Sequence, residues 1–346
     1  MRSDASNMKL NAYCTVSEVL PPTEVDRHAV HFDHQQGRLR DHLVTAAEMV
    51  MDDGRRSMTS SLFAIVRHFQ RTRHLYQLDV EEKGNTSLAS WAWANNAIFV
   101  LPDGTVTDPL LRCLADGEFG QPDDQAQIPF PRAARQRKAQ TEVELRNRLI
   151  EVPEALPPIP AECEVSVRSA TEVALRASSL FLVAVRAESL AADRPLPAEQ
   201  FQQRAPEAFA AMSPRETEFM HSATPDQQAV AEMAWRYEAL YALQWALGLQ
   251  PEWKWPDEIC DVPAVAGVMV DRNHATLMMS KLRPTTAILD QADVNYRLLW
   301  SARQAGLEQR EPPAGIDGGV LSERQHAFNW LIRYDDNDWD DVDTPT

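Results

Sequence analysis

Two stretches near the C-terminal end place carboxylates, a histidine and an arginine at helical spacing. Asp290, Asp293 and Arg297 stand at i, i+3 and i+7, which puts two carboxylates and a guanidinium on one helix face. Glu323 and His326 stand at i and i+3, the Glu-x-x-His spacing with which helix bundles hold metal pairs. Such centres draw on two of these pairs plus two further carboxylates. This chain supplies one pair, so no metal and no cofactor are expected. A structural polar network is the stronger reading. Trp235, Trp245, Trp300 and Trp330 lie in apolar helical stretches and must bury large faces, and charged groups sharing that interior persist only when paired. The expected network comprises Arg236, Glu238, Asp290, Asp293, Arg297, Glu323 and His326, with Arg236, Glu238, Asp293 and Arg297 pairing with one another across helices. An enzyme built on Glu323, His326 and Asp290 is the alternative.

The segment that follows differs in kind. Asp335, Asp336, Asp338, Asp340, Asp341 and Asp343 crowd six carboxylates into nine residues around Trp339. A solvated tail is one reading. The other is an aromatic anchor ringed by charge and suited to docking on a basic surface, which makes these seven residues the candidate partner-binding set. Calcium chelation fits less well, because the run lacks the glycine and terminal glutamate of an EF-hand loop. The chain contains no Gly-x-x-x-x-Gly-Lys phosphate loop, Gly-x-Gly-x-x-Gly turn, Gly-x-Ser-x-Gly elbow or His-Glu-x-x-His pair, so the common nucleotide, hydrolase and zincin chemistries have no sequence support.

Charge narrows the partners. The formal net charge is -17, and residues 161–346 hold 16 basic against 29 acidic residues, or -13. Such a field repels phosphate backbones and anionic lipid and speeds encounter with basic proteins, so neither direct nucleic-acid binding nor membrane binding is expected. Hydrophobic residues at 44% and charged residues at 25% match ordinary globular usage. No apolar run suits a signal peptide or a membrane span, and Cys14, Cys113, Cys163 and Cys260 stand too far apart for a redox or zinc motif. A cytoplasmic location is expected.

Periodicity divides the chain into an α+β domain over residues 1–115, a linker over 116–160 and an all-α domain with an acidic tail over 161–346. In the first domain Leu10, Ala12 and Cys14 alternate with polar neighbours, as do His28, Val30 and Phe32, which predicts strands. Helices are predicted at 39–51, burying Leu43, Ala46, Ala47 and Val50 and closed by Asp53-Gly54, and at 59–72, burying Leu62, Ile65, Val66 and Phe69. Strands resume at 74–80 and 98–101, and Pro102-Asp103-Gly104 marks a hairpin turn. Between the domains, 132–150 reads as an exposed charged helix, and the four prolines of 153–160 read as a stiff connector. Beyond it, Ser169/Glu172 and Ser213/Glu216 carry the capping-box spacing of helix starts. Further helices are predicted at 225–247, 284–305 and 321–334, for a total of about five to six.

The second domain resembles a bacterial family catalogued as domain of unknown function 4272, over about residues 132–344. The likeness is carried by Arg168-Ser-Ala-Thr-Glu-Val, Trp235-Arg-Tyr-Glu-Ala-Leu, Trp245-Ala-Leu-Gly, Ile288-Leu-Asp-Gln-Ala-Asp, Tyr296-Arg-Leu-Leu-Trp, Glu323-Arg-Gln-His-Ala-Phe-Asn-Trp-Leu and Asp338-Trp-Asp-Asp-Val. The resemblance carries no assigned activity. Its association with secreted nuclease toxins implies an immunity protein, a binder that neutralises a type VI secreted nuclease toxin of the restriction-endonuclease-like class. A housekeeping scaffold is the remaining alternative.

Overall fold

A computed structural model describes residues 7–33, 37–51, 56–81, 86–116 and 121–346, and the expected Asp53-Gly54 helix stop lies outside them. The chain divides into two compact units, one of residues 1–136 and 154–165, the other of 137–153 and 166–346.

The first unit is built on an antiparallel sheet. Its strands are β1 Asn7–Cys14, β2 Val30–Asp33, β3 His74–Glu81, β4 Ala97–Val100, β5 Val106–Thr107 and β6 Cys113–Ala115. They run in the order β2-β3-β1-β4-β5-β6. Register and the period of two sort the core onto two faces. Tyr13 lies opposite Leu75 and Ile98, and these three pack with Ala46 and Val50 of α1 (Gly37–Met51) and Ile65 and Phe69 of α2 (Ser60–Arg71). One residue earlier, Ala12 lies opposite Tyr76 and Phe99, and they pack with Leu88, Trp91 and Ala92 of α3 (Thr86–Ala94). Gly104, at φ +86°, permits the turn between β4 and β5, as Pro102-Asp103-Gly104 predicts.

Residues 154–165, most of the stretch read as a stiff connector, belong to this unit and are fastened to it. Leu156 and Ala161 are buried. The Glu164 carboxylate accepts hydrogen bonds from Thr15 Oγ1 at 2.7 Å, Arg71 Nη1 at 2.8 Å and the Ala161 amide at 2.8 Å. A buried carboxylate satisfied by three donors fixes the strap in place.

The second unit is helical. The helix read as exposed, α4 (Arg132–Asn147), in fact buries Arg137, Thr141 and Leu145 at four-residue intervals along one face. There follow α5 (Ala170–Ala191), α6 (Ala198–Arg204), α7 (Pro206–Ala210), α8 (Pro214–His221), α9 (Gln227–Ala234) and α10 (Arg236–Ala246). Then come α11 (Val262–Val270), α12 (His274–Met278), α13 (Thr285–Leu307) and α14 (Gly318–Leu331). Both predicted capping boxes are present, Ser169 with Glu172 and Ser213 with Glu216. The single helix expected over 225–247 is broken at Trp235, where α9 ends and α10 begins. Helix α10 packs on α5 and α14, and α14 on α13, so the longest apolar stretches form the centre of the unit.

Candidate partner-binding site

The charged residues singled out by their spacing all lie on these central helices; Asp293 and Arg297 pair with each other, though within one helix, and Arg236 and Glu238 find other partners. Asp293 and Arg297 pair within α13 through two parallel bonds, Nε to Oδ2 and Nη2 to Oδ1, each 3.0 Å. Neither side chain is more than 1% exposed. Arg297 Nη1 also reaches Glu142 of α4 at 3.5 Å. Asp290, one turn away and mostly exposed, accepts from the buried Arg137 at 2.9 Å. Arg236 and Glu238 do not pair with Asp293 and Arg297. Arg236 binds Glu323 at 2.9 Å, and Glu238 binds Arg324 at 2.9 Å. The reason is geometric: Arg236 and Glu238 begin α10, which packs on α14, so the acceptors and donors within reach belong to α14.

Sequence reading missed Arg324. It is among the largest fully buried side chains, with its guanidinium over the rings of Tyr241 and Trp253 and Nη1 donating to the Lys254 carbonyl at 2.9 Å. Its position next to Glu323 in a helix that also carries Phe328 and Trp330 was the available signal. Arg137 and Glu142 were missed because α4 reads as a solvated helix.

Glu323 and His326 are both partly buried on α14. Burial raises the Glu323 pKa, and the adjacent Arg236 opposes that rise. His326 packs edge-on against Trp339, centroids 4.6 Å apart. Burial, with Arg236 and Arg176 nearby, lowers its pKa to about 4, so it is neutral at pH 7. Among the described residues, no group of three or more His, Cys, Asp and Glu is placed to hold a metal ion.

The acidic segment packs back onto the helices, and Trp339 is not the exposed anchor its surroundings suggest. Its side chain is only 4% exposed, packed on Trp330 and His326 with the Arg176 guanidinium 4.9 Å above the ring. The ring is therefore a peg that holds the segment to α14 and α5. Four more ties hold the segment, three of them to its backbone and one to the Asp340 carboxylate. Arg168 Nη2 donates to the Asn337 carbonyl at 3.1 Å, and Asn329 Nδ2 donates to the Asp343 carbonyl at 2.7 Å. Asp340 Oδ2 accepts from the Arg215 amide at 3.0 Å, and Arg303 donates to the Thr344 carbonyl. The chain leaves α14 through Arg333, Asp335 and Asp336, all left-handed at φ +50° to +55°, a region that aspartate tolerates better than most side chains. Asp336, Asp338, Asp341 and Asp343 are exposed, and Asp335 and Asp340 are half-buried.

The segment forms one wall of a cleft of about 560 Å³. Opposite it stand the start of α5, with Arg168, Glu172 and Arg176, and the turn into α8, with Ser213 and Arg215. Arg168 lies 4.4 Å over the Trp330 ring. Arg176 forms a short, buried ion pair with Glu216, and neither side chain is more than 5% exposed. Among the described residues no helix is long and apolar enough to cross a membrane.

Comparison with curated proteins and with solved structures returns no match. Comparison with protein families matches residues 137–342 to the domain of unknown function DUF4272. That range holds α5 through α14, the polar network and all but the end of the acidic segment, so the chain belongs to the DUF4272 family.

Proposed function

We propose that this protein is an inhibitory binding protein, an immunity protein that neutralises a type VI secreted nuclease toxin of the restriction-endonuclease-like class by binding it. The observation that carries the reading is the pinned acidic segment: four exposed carboxylates on a segment held by a buried tryptophan and four hydrogen-bonded ties, three of them to its backbone. Charge held in place before binding loses little conformational freedom on association, so more of the electrostatic attraction survives as affinity. A nuclease cleft that holds a phosphate backbone is basic, and an ordered row of carboxylates is its complement. The acidic balance of the second unit, 20 basic against 30 acidic residues, supplies the long-range attraction for a fast encounter.

The experiment is co-expression with any basic nuclease encoded beside this chain, followed by gel filtration and association kinetics at several salt concentrations. A stoichiometric complex whose association slows steeply with salt supports the reading. Two proteins that elute separately at low salt refute it.

A further inference from the structure

A second cavity of about 560 Å³ lies away from the acidic segment, between the last turn of α5, helix α9, the break at Trp235 and the turn that leads into α11. Its walls are mostly apolar, and two large apolar side chains that line it, Trp235 and Ile259, are exposed. Two lining residues, Glu188 and Glu238, carry charge, and their situations differ. Glu238 is balanced inside the fold: one carboxylate oxygen accepts from the Cys260 amide and the other from Arg324 Nε. Glu188 is exposed, and among the described residues no cation pairs with it. Its Oε2 accepts from the Tyr237 hydroxyl at 3.0 Å, which leaves Oε1 open to a further donor. Burial, and then the nearby Glu188 charge, push the Tyr237 pKa up, so the hydroxyl keeps the proton that it donates.

Trp235 stands apart from five other tryptophans of this unit in the same sense. Trp245, Trp253, Trp255, Trp330 and Trp339 each hold an arginine guanidinium 4.2 to 5.0 Å from the ring centroid, and among the described residues none lies over Trp235. The Trp235 ring is nonetheless held in place, because it rests against Gly319, where a Cβ would stand 3.0 Å from the indole. A fixed aromatic wall without a cation and an oriented carboxylate without a cation thus share one apolar cavity. An organic cation satisfies both, through the negative face of the ring and a charge-assisted hydrogen bond. The volume lies within the range of about 300 to 1,000 Å³ typical of small-ligand sites. We infer that this cavity binds a small organic cation, an ammonium on an apolar body. Its N–H donates to Glu188 Oε1, and the body lies against Trp235 and Ile259. The inference does not depend on the proposed immunity role, since no residue of 335–343 lines the cavity.

Calorimetric titration of the full chain with phenylpropylammonium chloride tests it. Phenylpropanol, of similar shape without the charge, and ethylammonium, which has the charge without the apolar body, are the controls. Phenylpropylammonium is expected to bind one to one, and each control about tenfold more weakly or worse. Glu188→Gln removes the charge at the mouth and weakens phenylpropylammonium about tenfold while leaving phenylpropanol as it was. Ile259→Asn interrupts the apolar wall and weakens both phenylpropyl compounds several-fold. Both positions are exposed, so both variants keep the circular dichroism spectrum and urea midpoint of the parent. Glu218→Gln, at an exposed acid outside the cavity, changes nothing. Equal binding of phenylpropylammonium and either control, an equal loss in Glu188→Gln and Glu218→Gln, or no binding at millimolar concentration overturns the inference.

Discussion

Replacing Arg297 by alanine probes the interior polar network most sharply. The guanidinium is 0% exposed, and its bidentate partner Asp293 is 1% exposed, so the variant leaves a carboxylate buried without its counter-ion. Removing one member of such a pair costs about 3 to 5 kcal/mol, several times the effect of a surface ion pair. With a urea m-value near 3 kcal/mol/M, that cost lowers the midpoint of the affected transition by about 1 to 1.7 M. Seven of the nine tryptophans lie in the second unit, so intrinsic fluorescence at pH 7 reports mainly on the unit that holds the pair. The double variant Arg297→Met with Asp293→Leu removes both charges and should recover most of the loss, since a packed apolar pair is often as stable as a buried ionic one. A single variant within about 0.5 kcal/mol of the parent would refute the argument, because a loss that small belongs to exposed pairs.

Three further outcomes follow from the same geometry. The His326 pKa is depressed to about 4 in the fold, so between pH 6.5 and 4 the unfolded chain takes up a proton that the folded chain refuses. Stability therefore falls as pH drops through that window, by about 3 kcal/mol in all, and His326→Gln should flatten this part of the urea-midpoint profile. Trp339→Ala should cost about 3 to 5 kcal/mol, as for other buried aromatics, and should expose the 335–343 backbone to rapid hydrogen exchange; an unchanged midpoint would show that the ring does not hold the segment. Changing the four exposed acids Asp336, Asp338, Asp341 and Asp343 to asparagine should leave the urea midpoint within about 0.5 kcal/mol of the parent, lower the on-rate for a basic partner and flatten its salt dependence; an on-rate equal to the parent's at low salt would place the steering charge elsewhere.

The α+β plan was legible because its signals are local. Alternation at Leu10, Ala12 and Cys14, the turn at Pro102-Asp103-Gly104 and the two capping boxes each act within a few residues, and each appears in the fold. Helix α3 was not legible. Its Leu-Ala-Ser-Trp-Ala-Trp-Ala run is apolar nearly all round and shows no 3.6-residue period. The short helices α6, α7, α11 and α12 are set by proline and by Asp261 and Asn273 caps more than by periodicity, which is why more helices are present than the five to six expected. The charged network was legible in part of its membership, with Arg324, Arg137 and Glu142 missed, and little of its pairing was legible. Spacing along one helix reveals Asp293 with Arg297, but the pairs Arg236 with Glu323 and Glu238 with Arg324 depend on which helices pack together. Trp339 misled for a related reason. A tryptophan among aspartates reads as exposed, whereas the Arg176 side chain that covers it comes from a distant helix and Trp330 reaches it only because the chain folds back after α14.

The proposed immunity role is tested most directly by plasmid cleavage. A purified nuclease encoded beside this chain is incubated with supercoiled DNA, alone and with rising amounts of the full chain. Cleavage should fall to background near one equivalent, and the variant lacking the four exposed aspartates should need a clear excess for the same protection. Cleavage at an undiminished rate in the presence of excess protein would contradict the account.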